Sequence, residues 1–488
     1  MRMKMKTGKT LLCGFAFLCS LLISASAQTP YQNYTYSYDR EYHAEPQAYL
    51  PAAAITGVDL NTGALNGPQD IFAAADGRVY IADSGNDRIL ILSAAWRSER
   101  IIQTFGDGDG LRNPCGVFVT AENDVYVADT DNERIVVFDR DGGLKHIFRK
   151  PDSKMFTTEF KPLKIAVDKY KRMYVVSRGC EQGFVQLEND GSFLSYYGAI
   201  QTTLEPGEAL WRLFMTEEQK QRTVANIPTV YSNCDVDDDG FVYGTVSAAG
   251  AVYNSQIVIR KLNPLGADIL KREGFTDPMG DIEFTWDSKI NDYIRSKFVD
   301  ICVRENGAYS VLDIERKRIF TYDSMGCLMY VFGADGTQLG TFRSPTGMSV
   351  TPSGDFLVLD SAYDHIVVFK PTEYARLLHE AVGLQDTRNY TEAQAKWNEV
   401  LKYTSQSEWA YNNLGRIKLA EGQYEDALFY FKLGSYREYY SVAFKYYRKL
   451  LLNDSFYLLV GALFLIVVGI IVIRIVIKRR KKGNVQCP

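Results

Sequence analysis

Histidine is almost missing from this chain, with 4 in 488 residues. A zinc centre needs imidazoles or thiolates converging on one point. His43, His146, His365 and His379 share no position in the pattern described below, which argues against a histidine-built metal site. Cysteine is sparse too, 8 in all, without close spacing. Outside the two apolar ends of the chain an odd set remains, Cys115, Cys180, Cys234, Cys302 and Cys327, which excludes a disulfide framework and leaves small buried hydrophobes as the reading. Neither sign of charge dominates: 55 basic against 59 acidic residues leave a net charge of -4 and no electrostatic footprint for nucleic acid. Gly-rich phosphate loops, serine nucleophile motifs and Cys/His pairs are all lacking, so no cofactor is expected and no catalytic, cofactor-binding or metal-ligating residue is assigned.

What the chain does contain is repetition. Arg112 to Gly143 holds three short apolar runs, Gly116-Val119, Val125-Ala128 and Ile135-Phe138, each bounded by turn residues, the pattern of a three-stranded meander. The same pattern, with an aspartate closing its second strand, recurs at Asp83, 46 positions before Asp129, and at Asp360, 47 after Asp313. Ser177 takes that place 48 positions after Asp129, and Thr245 is read as the marker of a degenerate copy, with roughly 20 extra residues on each side. That makes six copies. One such sheet cannot cover both its faces, and six at this period argue for a radial array, a β-propeller. The last copy lacks an outer strand, which Ala54-Val58 is expected to supply, closing the ring.

The motif Pro-x-x-(strand)-turn-VYVADTDNERI resembles the NHL-repeat family of six-bladed propellers over roughly 54–371. The resemblance implies a fold whose members range from metal-dependent lyases and lactonases to pure binding modules, so function does not follow from it. The repeated aspartates are read as architectural, accepting backbone N–H bonds that hold the neighbouring loop. Asp235 to Gly240 imitates the start of a calcium loop, but its twelfth position is Val246 where a glutamate is required, so it is read as a turn. Cys115 and Cys234 are read as sharing one repeat position.

Around the propeller, residues 1–27 read as a signal peptide with a basic start and an Ala-x-Ala site, and 28–53 as a tyrosine-rich linker. Two insertions interrupt the repeats, one around Trp211 and one around Trp286, both on the face that carries the second-to-third-strand loops. That face is expected to be the recognition surface, with Trp211, Trp286, Arg178 and Asp313 as candidate residues. In 372–452 the period turns helical. Tyr390 over Tyr424, Ala393 over Ala427 and Trp397 over Phe431, each 34 apart, resemble the tetratricopeptide family, with small residues at Asn412-Gly415 letting helices approach. Residues 453–477 read as a transmembrane helix, and the basic run Lys478-Lys482 opens a cytoplasmic tail, 478–488.

The fold class expected is therefore mainly β: a six-bladed propeller, a small α-helical tetratricopeptide-like module and one transmembrane helix. The function expected is that of a membrane-anchored extracytoplasmic binding or scaffold protein of bacterial type, single-pass in the plasma membrane with its N-terminal domains outside. Its partners would be a protein or a small extracellular ligand, and not nucleic acid. The alternative is a metal-dependent, lactonase-like hydrolase or lyase acting in the propeller channel.

Overall fold

The computed structural model describes residues 29–483 apart from 107, 200–228, 249–257, 284 and 288–291. The signal-peptide reading, Trp211 and the end of the tail lie outside the described residues.

Six antiparallel sheets follow one another in chain order. The inner strands are Asp70–Ala73, Pro114–Val119, Pro162–Val167, Thr229–Val236, Phe298–Val303 and Pro345–Val350. Each leads outward through a meander, forming a six-bladed β-propeller. The middle strands are buried along their length rather than at alternate positions. In the second blade Val125–Asp129 and Arg134–Phe138 are buried throughout, because each blade is packed between two others. Polar residues return on the outermost strand, Leu144–Arg149, which meets solvent. The turn between first and second strands is tight and places one residue in left-handed conformation, Asn123 (φ 66°) and Lys171 (φ 63°) among them; Gly240 (φ 88°) serves the same need in the fourth blade. The aspartate run before it is thus a turn, with Gly240 N–H on the Asp237 carbonyl at 2.9 Å.

Closure is made by Tyr49–Thr56, paired with His365–Pro371 as the fourth strand of the sixth blade. It begins five residues earlier than Ala54, inside the stretch read as linker. The rest of that stretch is no linker either. Tyr34–Tyr36 and Tyr42–Ala44 form a hairpin, and Tyr34 and Tyr36 are buried. Its one-sided tyrosines lack a period long enough to announce a strand, and their partners come from over 240 residues away.

The fourth blade departs most from the repeat. Three of its strands are described, and its outer edge is reduced to a bridge between Leu262 and Asp268. Its register also corrects the marker. Tyr231 faces Val246 as Pro114 faces Asp129, so Val246, not Thr245, holds the marker position. Cys234 then matches Val117, so it does not share the place of Cys115. The proline slot and the marker are 15 residues apart in both blades; the fourth holds valine at the marker, and the polar Thr245 beside it drew the reading one place short. All five described cysteines are free thiols.

The chain divides into two compact units, Met1–Gly383 and Leu384–Pro488. The boundary falls within helix α1, Glu373–Asp386, whose start belongs to the propeller unit: Tyr374 donates to the buried Glu45 at 2.9 Å. In the second unit, α2 (Tyr390–Tyr403) packs on α3 (Glu408–Ala420) through the fully buried Trp397, whose indole donates to Gln385 at 2.8 Å, and α4 (Tyr424–Leu433) packs on α3. Ser407 caps α3 by accepting from Ala410 N–H at 3.2 Å. Gly415 in α3 is required by the approach of α4, since a Cβ there would stand 2.7 Å from the Phe431 ring. Helix α5, Arg437–Gly483, runs 47 residues without a break. Its segment Phe456–Arg479 is long and apolar enough to cross a membrane.

Candidate functional site

An inner strand hydrogen-bonds along one edge to its own blade, while its other edge faces the central channel with free backbone groups. Those N–H groups need acceptors. Side chains of the preceding blade supply them. Asp70 accepts from Val117 N–H at 2.8 Å, Asp235 from Val303 N–H at 2.8 Å, Asp300 from Met348 N–H at 2.5 Å, and Ser349 from Ala73 N–H at 2.9 Å. The channel carboxylates therefore stitch blades together.

Strand register places Asp70, Gly116, Lys164, Asn233, Asp300 and Gly347 in one ring. Lys164 Nζ lies 2.7 Å from Asp70 and 2.9 Å from the Gln69 carbonyl, and Asn233 donates to Asp300. Gly116 sits between blades one and three because nothing larger fits. A Cβ there would be 2.5 Å from the Leu163 carbonyl oxygen and 3.0 Å from Lys164 Cα. Burial pushes Asp300 up to about 8, against the pull of Lys164 and with the push of Asp70; burial raises Asp70 as well. Lys164 is lowered by burial but raised more by the two aspartates, so it stays charged. Only about 40 Å³ of space remains at this level.

The next ring outward, Phe72, Phe118, Asp235, Cys302 and Ser349 among its members, is the floor of a larger cavity of about 730 Å³. All six first-to-second-strand turns contribute to its walls. It is a cup closed beneath by the ion-paired ring. Phe72 and Phe118 stand together on one side, ring centroids 5.0 Å apart. Across the six-fold array, the fifth blade contributes Cys302, Arg304 and Asn306, and α1 contributes His379. Arg304 donates to the Tyr49 hydroxyl at 2.9 Å and lies 4.9 Å above the Phe356 ring; its Nε is buried without an acceptor. His379 holds the Tyr330 hydroxyl at 2.7 Å on Nε2 and Asn306 at 3.3 Å on Nδ1. Burial, then Arg304, drives its pKa well below the usual imidazole value, so the ring is neutral. Burial pushes Asp235 up to about 7 and the Cys302 thiol up to about 12, which makes that thiol a poor nucleophile.

The residues chosen from sequence lie elsewhere. Arg178 is exposed in a second-to-third-strand loop of the third blade. Trp286 is half exposed in a two-stranded hairpin, Thr285–Asp287 with Asp292–Ile294, its ring edge-on to Tyr293 at 5.0 Å. Asp313 is fully buried at the end of its strand, accepting from the N–H groups of Lys297, Glu315 and Arg316 at 2.9–3.1 Å. None of the three lines the cup, which opens on the opposite face. Its residues carried no motif. The one signal was variation: at the ring position six copies hold Asp, Gly, Lys, Asn, Asp and Gly, whereas the position after it holds Ile, Val, Ile, Cys, Ile and Met. Among the described residues no group of three or more His, Cys, Asp or Glu is placed to hold a metal.

No protein-family model matches the chain, and no curated protein matches it by sequence. Among solved structures, streptogramin B lyase aligns with 67% of this chain and 100% of its own at 11% identity and a TM-score of 0.42. Virginiamycin B lyase from Staphylococcus aureus aligns with 69% of this chain and 87% of its own, at 10% identity and a TM-score of 0.37. A protein of unknown function from Bacteroides thetaiotaomicron aligns with 69% and 75%, at 12% identity and a TM-score of 0.43.

Proposed function

We propose that this chain is a single-pass, membrane-anchored binding protein whose propeller stands outside the cytoplasm and takes a ligand in the cup. The observation that carries the reading is the division of labour along the channel. The inner ring spends its polar groups on one another and on blade-to-blade bonds, while the space above it is roomy, walled by all six blades and mixed in character, as ligand pockets are. The NHL-like repeats, the 34-residue helical period, the apolar span in α5 and the basic residues after it support the anchored arrangement. The loops bearing Arg178 and Trp286 on the other face, with the helical repeats, are offered to a protein partner.

The test is a fragment screen by thermal shift on the full chain in lipid nanodiscs, repeated on Ala121→Trp. Ala121 is exposed at the cup wall, so tryptophan there fills the space without disturbing the core. Fragments that stabilise the parent and not the variant support the reading. Fragments that stabilise both alike overturn it.

A second reading, a hydrolase or lyase working in the cup, is favoured by Asp235 alone, whose carboxyl near pH 7 suits general acid–base catalysis. Elemental analysis of the purified chain before and after chelation tests its metal-dependent form: stoichiometric metal whose loss leaves the fold intact would support it.

A further inference from the structure

The arginines of the propeller interior follow a rule, and one breaks it. Arg88 pairs with Asp83 at 2.7 Å, Arg134 with Asp129 at 2.6 Å, and Arg318 with Asp281 at 2.6 Å. Arg304 is half-buried in the cup wall and, among the described residues, has no carboxylate partner. Its neighbours are the Tyr49 hydroxyl, the Phe356 ring and a neutral His379, and its Nε has no acceptor. A guanidinium cannot shed its proton to escape burial. Keeping it half-buried with its Nε shielded and no counter-charge has a cost, and fixed cationic donors facing a cavity are the usual means of gripping an anion.

From this we infer that Arg304 is the anion-binding residue of the cup, and that the ligand is a small monocarboxylate with an aromatic or apolar body. The inference rests on the cup being a ligand site. The carboxylate would sit on the Arg304 guanidinium. The body would extend across the cavity to Phe72 and Phe118, which belong to blades one and two, on the other side of the ring from blade five. Charge elsewhere in the cup limits the choice. Asp168 is engaged by Arg172 at 2.7 Å and Asp237 by Lys261 at 3.1 Å, but Glu122, Asp238 and Glu305 surround the opening and disfavour a multiply charged anion such as a phosphate ester. Lys169, the other cation of the wall, is turned to the Asp238 carbonyl at 3.2 Å, so Arg304 facing two aromatic rings suits one negative charge and an apolar remainder.

The probes are 1-naphthoate and its neutral counterpart 1-naphthamide, titrated by calorimetry into the full chain in nanodiscs, with empty nanodiscs as the blank. Naphthoate is expected to bind about tenfold more tightly than naphthamide, as a charge-assisted bond to arginine warrants. Arg304→Met should abolish that preference and leave naphthamide binding and the melting temperature no lower than in the parent. A purely structural arginine would instead lower the melting temperature on removal and leave the preference in place, which overturns the inference. Arg304→Lys keeps the charge without the planar fork and carries the test should the methionine variant not fold: weakened naphthoate with unchanged naphthamide supports the proposal, and unchanged naphthoate overturns it. Equal binding of both probes to the parent, lost in Ala121→Trp, would sink the anion assignment and leave the cup standing as a binding site. Binding of neither probe would count against both.

Discussion

Asp313 and Arg318 occupy the places where Asp83 and Asp129 hold Arg88 and Arg134, yet they do not pair as those do. Arg318 is drawn away to Asp281 at 2.6 Å and to the Tyr34 hydroxyl at 3.0 Å. One Asp313 oxygen is consequently buried with no donor, and burial pushes the carboxyl up to about 6. A carboxyl raised above its unfolded value of about 3.9 holds its proton longer in the folded state, so its stabilising contribution is complete below about pH 4 and is lost as pH rises through 6. For this fully buried group the loss is on the order of 3 kcal/mol. Asp235, near 7, and Asp300, near 8, act in the same direction. The melting temperature should therefore fall between pH 5 and pH 8.5, and Asp313→Asn should flatten the part of that slope below pH 7; an unchanged slope would refute the assignment. Gly116 gives a second residue-level expectation. With backbone atoms at 2.5 and 3.0 Å from any Cβ, Gly116→Ala must push blades two and three apart, costing about 1–3 kcal/mol in a denaturant titration.

At the scale of elements, the tyrosine-rich hairpin is what diverts Arg318. Tyr36 donates to Asp281 at 2.9 Å, Tyr34 donates to the same carboxylate, and Asp281 N–H is held by Ser296 at 3.0 Å. The second insertion and the N-terminal hairpin thus clasp each other over the fifth blade. Tyr31 extends the hold, lying 6.3 Å from Phe332 and 6.2 Å from Phe369 and donating to the Tyr49 carbonyl at 2.8 Å. Asp281→Ala removes the acceptor that a cation and two phenols share, and should cost about 3–5 kcal/mol, the usual penalty for stranding one side of a buried pair. The same variant should expose the chain at Arg40, in the hairpin turn, to trypsin well before the blades are cut. Equal resistance to trypsin in parent and variant would show that the clasp does not hold the hairpin.

For the whole molecule, ring closure depends on Tyr49–Thr56, a strand that reaches its partner over 300 residues later in the chain. Deleting 28–56 would leave His365–Pro371 as a long, apolar open edge, and the expected result is aggregation rather than a smaller folded propeller, read by size-exclusion chromatography. The anchored arrangement predicts a second outcome. Alkaline phosphatase fused after Lys482 should be inactive in a bacterial host, whereas fusion after Leu452, before the apolar span, should be active; the reverse pattern would overturn the orientation.

Much of the architecture was legible along the chain, because blades are local objects. The meander, its turns and its period need only neighbouring residues, and the excess of Val, Ile and Tyr in short runs reports strands buried on both faces. The same holds for the helices around Trp397 and Gly415, which are patterned by their own spacing. What the linear pattern could not convey is anything made between copies. The ion-paired ring, the blade-to-blade stitches, the cup and the unpaired Arg304 each join residues from different repeats, so none leaves a motif. A valine at the fourth blade's marker position, with the polar Thr245 beside it, was enough to displace the marker by one position. The tyrosine arm read as a linker because its partners, Asp281 and Arg318, lie hundreds of residues away. Local periodicity follows from backbone geometry, whereas a central site on a six-fold ring exists only once the ring has closed.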